Sequence, residues 1–160
     1  LDCTLGGGGL SRALLQAHPS NVVFALDRDQ RAIERTRRAV ADERLTIRHA
    51  VFSKAAEVYA GRRYDGILVD LGVSTDQLKE GRGFSFRDED SLDMRMDETQ
   101  EFTAAHLLNE LGDSELFRLL KEGGVGKEAR AVTNAIVRNR PHRSAARAAG
   151  SGPAAPGPRS

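Results

Sequence analysis

Four consecutive glycines, Gly6 to Gly9, sit in the stretch DCTLGGGGLS (Asp2 to Ser11), between a short apolar run and a helix-like one. Glycines at such a junction let the backbone turn tightly and approach a ligand without Cβ contacts. The free N–H groups at the start of the following helix then point at that ligand. A nucleotide-like ligand is the natural reading. Asp27 follows Gly6 by 21 residues, at the end of the next apolar run, where a carboxylate can accept hydrogen bonds from ribose hydroxyls. A four-glycine run alone is more often a flexible turn, but its position and Asp27 together invert that preference. The dinucleotide fingerprint would want glycine where Ser11 stands, for close helix packing, so Ser11 argues against NAD.

These residues need a scaffold, and the chain from Leu1 to Leu71 alternates short apolar runs with helix-like stretches, the pattern of repeated β-α-β units around a parallel sheet. Leu1 to Cys3 reads as a strand end. Leu10, Ala13, Leu14 and Ala17 share one helical face, and Pro19 with Asn21 ends that helix. NVVFALD (Asn21 to Asp27) is suited to a strand covered on both faces. Asp29 is placed to cap a helix whose inward stripe is Ile33, Thr36 with Arg37, and Val40. A strand at Leu45 to Ala50, a short helix near Lys54 to Ala60 and a buried strand YDGILVDL (Tyr64 to Leu71) follow.

Gly72 to Glu101 is rich in Gly, Ser and charge without a sustained period and reads as a long functional or disordered loop. Helical spacing returns at Thr103 to Leu111, Ser114 to Lys121 and Lys127 to Asn139. From Pro141 onward there is no Leu, Ile, Val, Phe or Tyr, and four of the five prolines lie there, so residues 141–160 read as a disordered tail or a shifted reading frame. The expected division is therefore residues 1–101, 102–140 and 141–160. Arg31, Arg35, Arg37 and Arg38 cluster on one helix and read as a solvated face. Arg82, Arg87 and Arg95, on the loop, are better placed to meet RNA.

Composition narrows the classes. The 160 residues suit one domain, 39% hydrophobic and 29% charged as in a globular protein; without a starting Met and with so unlike a tail, the chain reads as a fragment. No apolar run approaches the ~20 residues of a membrane-spanning helix. Net charge is +1, which neither announces nor excludes nucleic acid. Cys3, the single cysteine, rules out an internal disulfide or a cysteine metal cluster, and no metal is expected.

The opening Asp2, Thr4 and Gly6 is similar to the first motif of S-adenosylmethionine methyltransferases. DGILVDLGVSTDQL (Asp65 to Leu78), RGFSF (Arg82 to Phe86) and LDMRMD (Leu92 to Asp97) follow in order, and together they resemble the MraW family, whose members methylate the exocyclic amine of a cytosine in small-subunit ribosomal RNA. The resemblance runs from Leu1 to about Asp97 and continues loosely to Arg140. It implies an α/β, Rossmann-like S-adenosylmethionine methyltransferase fold with an incomplete parallel sheet, followed by part of a helical insertion. It also implies S-adenosylmethionine as cofactor, held by Gly8, Gly9, Leu10 (where the family has His), Asp27 on the ribose, Phe52 beside the adenine, Asp70 and Gln77. LDMRMD would lie close to the active-site region.

Methyl transfer from a sulfonium needs the nucleophile in line with the methyl–sulfur bond, so positioning is the protein's main task. Asp70, at the carboxyl end of its strand, is assigned a role at the cofactor and a catalytic one at the amine. The partner implied is small-subunit ribosomal RNA, with neither DNA nor a membrane. The compartment implied is cytoplasmic in a bacterium and mitochondrial or plastid in a eukaryote. The alternatives are a catalytically inert fragment that binds only nucleotide or RNA and, less favoured, an NAD-dependent oxidoreductase.

Overall fold

The computed structural model describes residues 1–86 and 91–150, and these fall into two compact units, one of residues 1–76 with 96–99, the other of 77–95 with residues from 100 onward. The described residues of the Gly72 to Glu101 stretch are shared between the two units.

In the first unit, β1 (Val23–Asp27) pairs in parallel with β2 (Leu45–His49). Two parallel bridges extend this pair, from Asp2 to Ala25 and from Asp2 to Leu68. The Asp2 N–H donates to Phe24 O at 2.8 Å and the Cys3 N–H to Leu68 O at 2.9 Å. Four parallel segments result. Numbered along the chain their spatial order is 3-2-1-4, which is the order of a doubly wound sheet. Its switch point lies between the segment at Asp2 and the segment at Leu68, so a ligand belongs outside the carboxyl ends of those two.

Helix α1 (Gly9–Ala17) and α2 (Gln30–Ala39) provide the crossovers. Leu5, Leu15, Val23, Ala25, Ile33 and Ile47 form the core, with Val40 and Leu45 against it. The inward face of α1 differs from the expected one. Ser11 and Leu15 are buried, whereas Leu10 and Leu14 are 48% and 41% exposed. Apolar periodicity alone selected the wrong stripe because a polar residue, Ser11, is the one pinned inward. For α2 the cap is as expected, Asp29 accepting from the N–H groups of Arg31 and Ala32, and of the expected inward stripe Ile33 and Thr36 are buried and Val40 half-buried, whereas Arg37 is exposed. After β2 come a tight turn at Phe52–Lys54 and the single-turn α3 (Ala55–Val58). Tyr59 then donates its hydroxyl to Ala25 O at 2.9 Å and lies 3.1 Å from Thr46 O, tying the crossover to both strands.

The segment Tyr64 to Leu71 is a correction. Only Leu68 makes a bridge, and Ile67 and Leu71 stand 66% and 71% exposed. A continuous apolar run signals a strand covered on both faces, yet among the described residues this one stays at the sheet's open edge.

The second unit begins within α4 (Thr75–Lys79) and contains α5 (Ala104–Glu110), α6 (Asp113–Leu120), α7 (Ala129–Arg138) and α8 (Ala145–Gly150). Leu92, Leu116, Ala129 and Ile136 are buried in it. The expected disordered tail is also corrected here, over residues 141–150; residues 151–160 lie outside those described. His142 and Ser144 are buried, His142 and Asn109 exchange two backbone–amide hydrogen bonds at 2.7 and 2.9 Å, and the His142 ring meets Ile136 O at 2.9 Å. Arg140 reaches the carbonyls of Leu108 and Leu111 at 2.6 and 2.7 Å, satisfying the carboxyl end of α5. Polar side chains thus order a segment that has no large apolar one, which a count of apolar residues misses.

Candidate functional site

The glycine loop is held from three sides. Asp2, 1% exposed, accepts the Ser11 hydroxyl at 2.6 Å and the Thr4 N–H at 3.1 Å, so the first carboxylate of the motif is structural and fixes where α1 begins. Asp27 Oδ2 accepts the Gly6 N–H at 2.7 Å and Oδ1 the Asp29 N–H at 2.8 Å. The Thr36 hydroxyl donates to Gly6 O at 3.0 Å. Gly8 sits at φ +74°, and a Cβ there would lie 2.5 Å from Thr36 Cγ2. That contact requires glycine at this position, since the side chain would collide with α2 even if the backbone tolerated it. Ser11, which argued against NAD, is the residue that ties the helix to the first strand.

The loop therefore delivers Gly8 and Gly9 to the amino end of α1 with Leu10 exposed beside them. Asp27 is half-buried at the end of β1, with both oxygens oriented by backbone N–H groups. A carboxylate oxygen has two acceptor sites, so each oxygen keeps one for a further donor. Phe52 follows the end of β2 and is 49% exposed, so it is not a core residue. Asp70 is exposed, and its backbone N–H donates to the Thr4 hydroxyl at 2.8 Å, which locks the ends of the first and fourth segments together across the switch point. Gly8, Gly9, Leu10, Asp27, Phe52 and Asp70 are thus all placed at the carboxyl side of one sheet. Gln77 is in the second unit, 6% exposed on α4, and is a packed residue there rather than a solvated loop residue.

The arginines divide differently from expectation. Arg82 is 5% exposed and pairs with Glu80 at 2.8 Å, and its Nη1 donates to Arg95 O at 3.2 Å. Arg95 grips Asp93 through two bonds of 2.7 and 2.8 Å and donates to Gln100 O. Both are therefore scaffold for the loop rather than free cations for RNA, and Arg87 lies outside the described residues. Arg95 and Met94 line an open cleft of about 670 Å³ in the second unit, with Phe102, Ala104 and Leu107. Among the described residues no cluster of His, Cys, Asp or Glu is arranged to hold a metal.

A family model, the MraW methylase family, matches residues 1–149. The chain belongs to the MraW methylase family. It is similar to proteins named ribosomal RNA small subunit methyltransferase H. With that of Synechococcus elongatus it is 44% identical over 144 residues, and with that of Chlamydia pneumoniae 42% identical over 147. The relative from Thermotoga neapolitana is 42% identical over 148 residues. These alignments cover 88%, 89% and 88% of this chain and 48%, 50% and 49% of the relatives, so the chain spans about half the length of the curated relatives it matches. A methylase of this family needs a methyl donor. The glycine loop, the Asp27 carboxylate and the exposed Phe52 stand at the carboxyl side of the sheet, backbone N–H groups, an acceptor and an aromatic residue whose chemistry would suit such a ligand.

Thr36 reads from the chain only as a core residue, yet its hydroxyl holds the glycine loop; Arg31 and Arg35 pair with Glu98 and Asp76. Arg31 and Arg35 recur one helical turn apart, a visible spacing, but the acids they meet lie far along the chain and nothing in the spacing pairs them.

Proposed function

We propose that this chain carries the cofactor half of an S-adenosylmethionine-dependent methyltransferase acting on the exocyclic amine of a cytosine in small-subunit ribosomal RNA. The observation that carries this reading is the Asp27 carboxylate, held by the Gly6 and Asp29 N–H groups at the carboxyl end of β1, beside a glycine loop at the sheet's switch point. In the bound state the glycine loop and the start of α1 would face the methionine part of the cofactor, Asp27 the ribose and Phe52 the adenine. The sulfonium supplies the activated methyl group.

The chain's own task is alignment. A cytosine amine has its lone pair delocalised into the ring, and an acceptor on its N–H turns it toward the methyl and takes up developing positive charge. Asp70 is exposed at the end of the fourth segment, its backbone fixed by Thr4, and is assigned both to the cofactor and to this acceptor role. Gln77 is assigned by family resemblance to the cofactor. The base must be unstacked to reach such a site. The partner is small-subunit ribosomal RNA, and the compartment is the one where that RNA is made: bacterial cytoplasm, mitochondrion or plastid.

The test is methyl incorporation from labelled S-adenosylmethionine into small-subunit RNA, by the 160-residue chain and by the chain extended to its relatives' length. The extended protein is expected to methylate a cytosine amine and to lose at least about a hundredfold in rate with Asp70→Ala. The 160-residue chain alone is expected to bind cofactor weakly and not turn over. Full activity of the Asp70→Ala protein would remove Asp70 from the reaction.

A further inference from the structure

Resting on the cofactor reading above, we infer that Arg31 and Arg35 are positioning residues that fasten the outer wall of the cofactor site. They lie one turn apart on α2, the helix that Asp29 starts immediately after Asp27. Arg31 grips Glu98 with its fork, Nε to Oε2 at 2.9 Å and Nη2 to Oε1 at 2.6 Å. Arg35 Nε lies 3.7 Å from Asp76 Oδ2, and that same oxygen is 3.8 Å from where a Cβ on Gly7 would stand. The first unit loses the chain after Asp76 and regains it at Met96–Thr99, and each of these two places is held by one of the two arginines.

The segment Met96–Thr99 is a strap with its own internal order. Asp97 accepts the Thr99 N–H at 3.0 Å and its hydroxyl at 2.6 Å, while Asp97 Oδ2 stands 3.7 Å from His49 Nε2. His49 ends β2, three residues before Phe52, and its ring lies 2.9 Å from the carbonyl of Arg28, the neighbour of Asp27. The strap thus lies across the carboxyl ends of β1 and β2, where the adenosine of the cofactor would be held. The ordinary role of arginines on an exposed helix is to keep a face solvated. A two-pronged guanidinium–carboxylate contact that joins residues 67 apart in sequence is more than that, because it fixes direction as well as charge.

Side chains of Arg31 and Glu98 remain 48% and 40% exposed, and exposed ion pairs are individually weak. The strap is therefore held closed but not sealed, as suits a site that must release a spent cofactor at every turnover. Its removal should speed cofactor escape more than it slows entry.

The experiment measures the dissociation rate of S-adenosylmethionine from the full chain, together with hydrogen exchange of the amides from Asp97 to Gln100. The variants are Arg31→Glu, Arg31→Gln, Glu98→Arg and the swap Arg31→Glu with Glu98→Arg. Arg31→Glu is expected to raise the dissociation rate roughly three- to tenfold and to speed exchange in the strap, with melting temperature nearly unchanged, and the swap to restore most of both. Arg31→Gln is expected to lie between and serves if the charge reversal fails to fold. Wild-type dissociation and exchange in the single variants would overturn the inference. Asp27→Ala separates the two claims: unchanged affinity there, or no binding by the wild-type chain, removes the cofactor reading itself, whereas lost affinity there with an unmoved rate in Arg31→Glu removes only the strap.

Discussion

Gly8 is where one atom decides the local structure. Adding a methyl group there meets both a positive φ and Thr36 Cγ2 at 2.5 Å, while Thr36 must keep its hydroxyl on Gly6 O. Gly8→Ala is expected to destabilise the fold by about 1–3 kcal/mol, the usual range for strain and overpacking. In a Thr36→Ser background, which keeps the hydroxyl and removes Cγ2, thermal melts should show a smaller loss; an equal loss would mean the backbone angle alone is responsible. Tyr59 is the other residue with a defined role. Burial pushes its phenol above the ordinary tyrosine range, with Arg48 and Arg62 partly offsetting that, and its hydroxyl serves the carbonyls of Ala25 and Thr46. Tyr59→Phe should cost about 1–2 kcal/mol in denaturant unfolding, from the lost bond and the carbonyls left short of a donor.

At the scale of elements, the sequence was legible wherever a local rule determined the outcome. The Asp29 cap and the strands at Val23–Asp27 and Leu45–His49 follow from residues within a few positions of one another. The inward face of α1 was not legible, because Ser11 is drawn in by Asp2, a pairing that exists only after folding. The same holds for His142 with Asn109 and for Arg31 with Glu98: long-range polar pairs leave no periodic trace.

Two carboxylates make the loop acid-sensitive. Arg95 holds Asp93 below the ordinary carboxylate range, against partial burial. Partial burial would raise Asp97, but the Thr99 hydroxyl and amide, with His49 and Arg28 nearby, outweigh it and hold it low as well. A folded-state value below the unfolded one means stabilisation that is present above the carboxylate range and lost as pH falls through the depressed values. The melting temperature should therefore drop on acidification below about pH 4, and the combined Asp93→Asn and Asp97→Asn protein, less stable at neutral pH, should show a shallower drop. A wild-type drop equal to that of the variant would assign the acid sensitivity to other groups.

The first unit carries four parallel segments, and the one at Leu68 stands at an edge. Ile67, Val69, Leu71 and Val73 are all exposed along the Leu68 edge, although parallel sheets are ordinarily covered on both faces. An apolar edge of this kind pairs with another strand or associates. The 160-residue chain should sediment as concentration-dependent oligomers, and Ile67→Lys with Leu71→Lys should shift it toward monomer; a monomer at all concentrations would show that the edge is protected. The central claim, that the glycine loop and Asp27 form an S-adenosylmethionine site, is tested most directly by calorimetric titration of wild-type and Asp27→Ala chains with S-adenosylmethionine and with NAD. The wild type is expected to bind S-adenosylmethionine and not NAD, and Asp27→Ala to weaken binding by roughly tenfold or more, the loss expected for charge-assisted bonds to ribose hydroxyls worth about 1.5–3 kcal/mol. Equal affinity of the two chains for S-adenosylmethionine, or a preference for NAD, would contradict it.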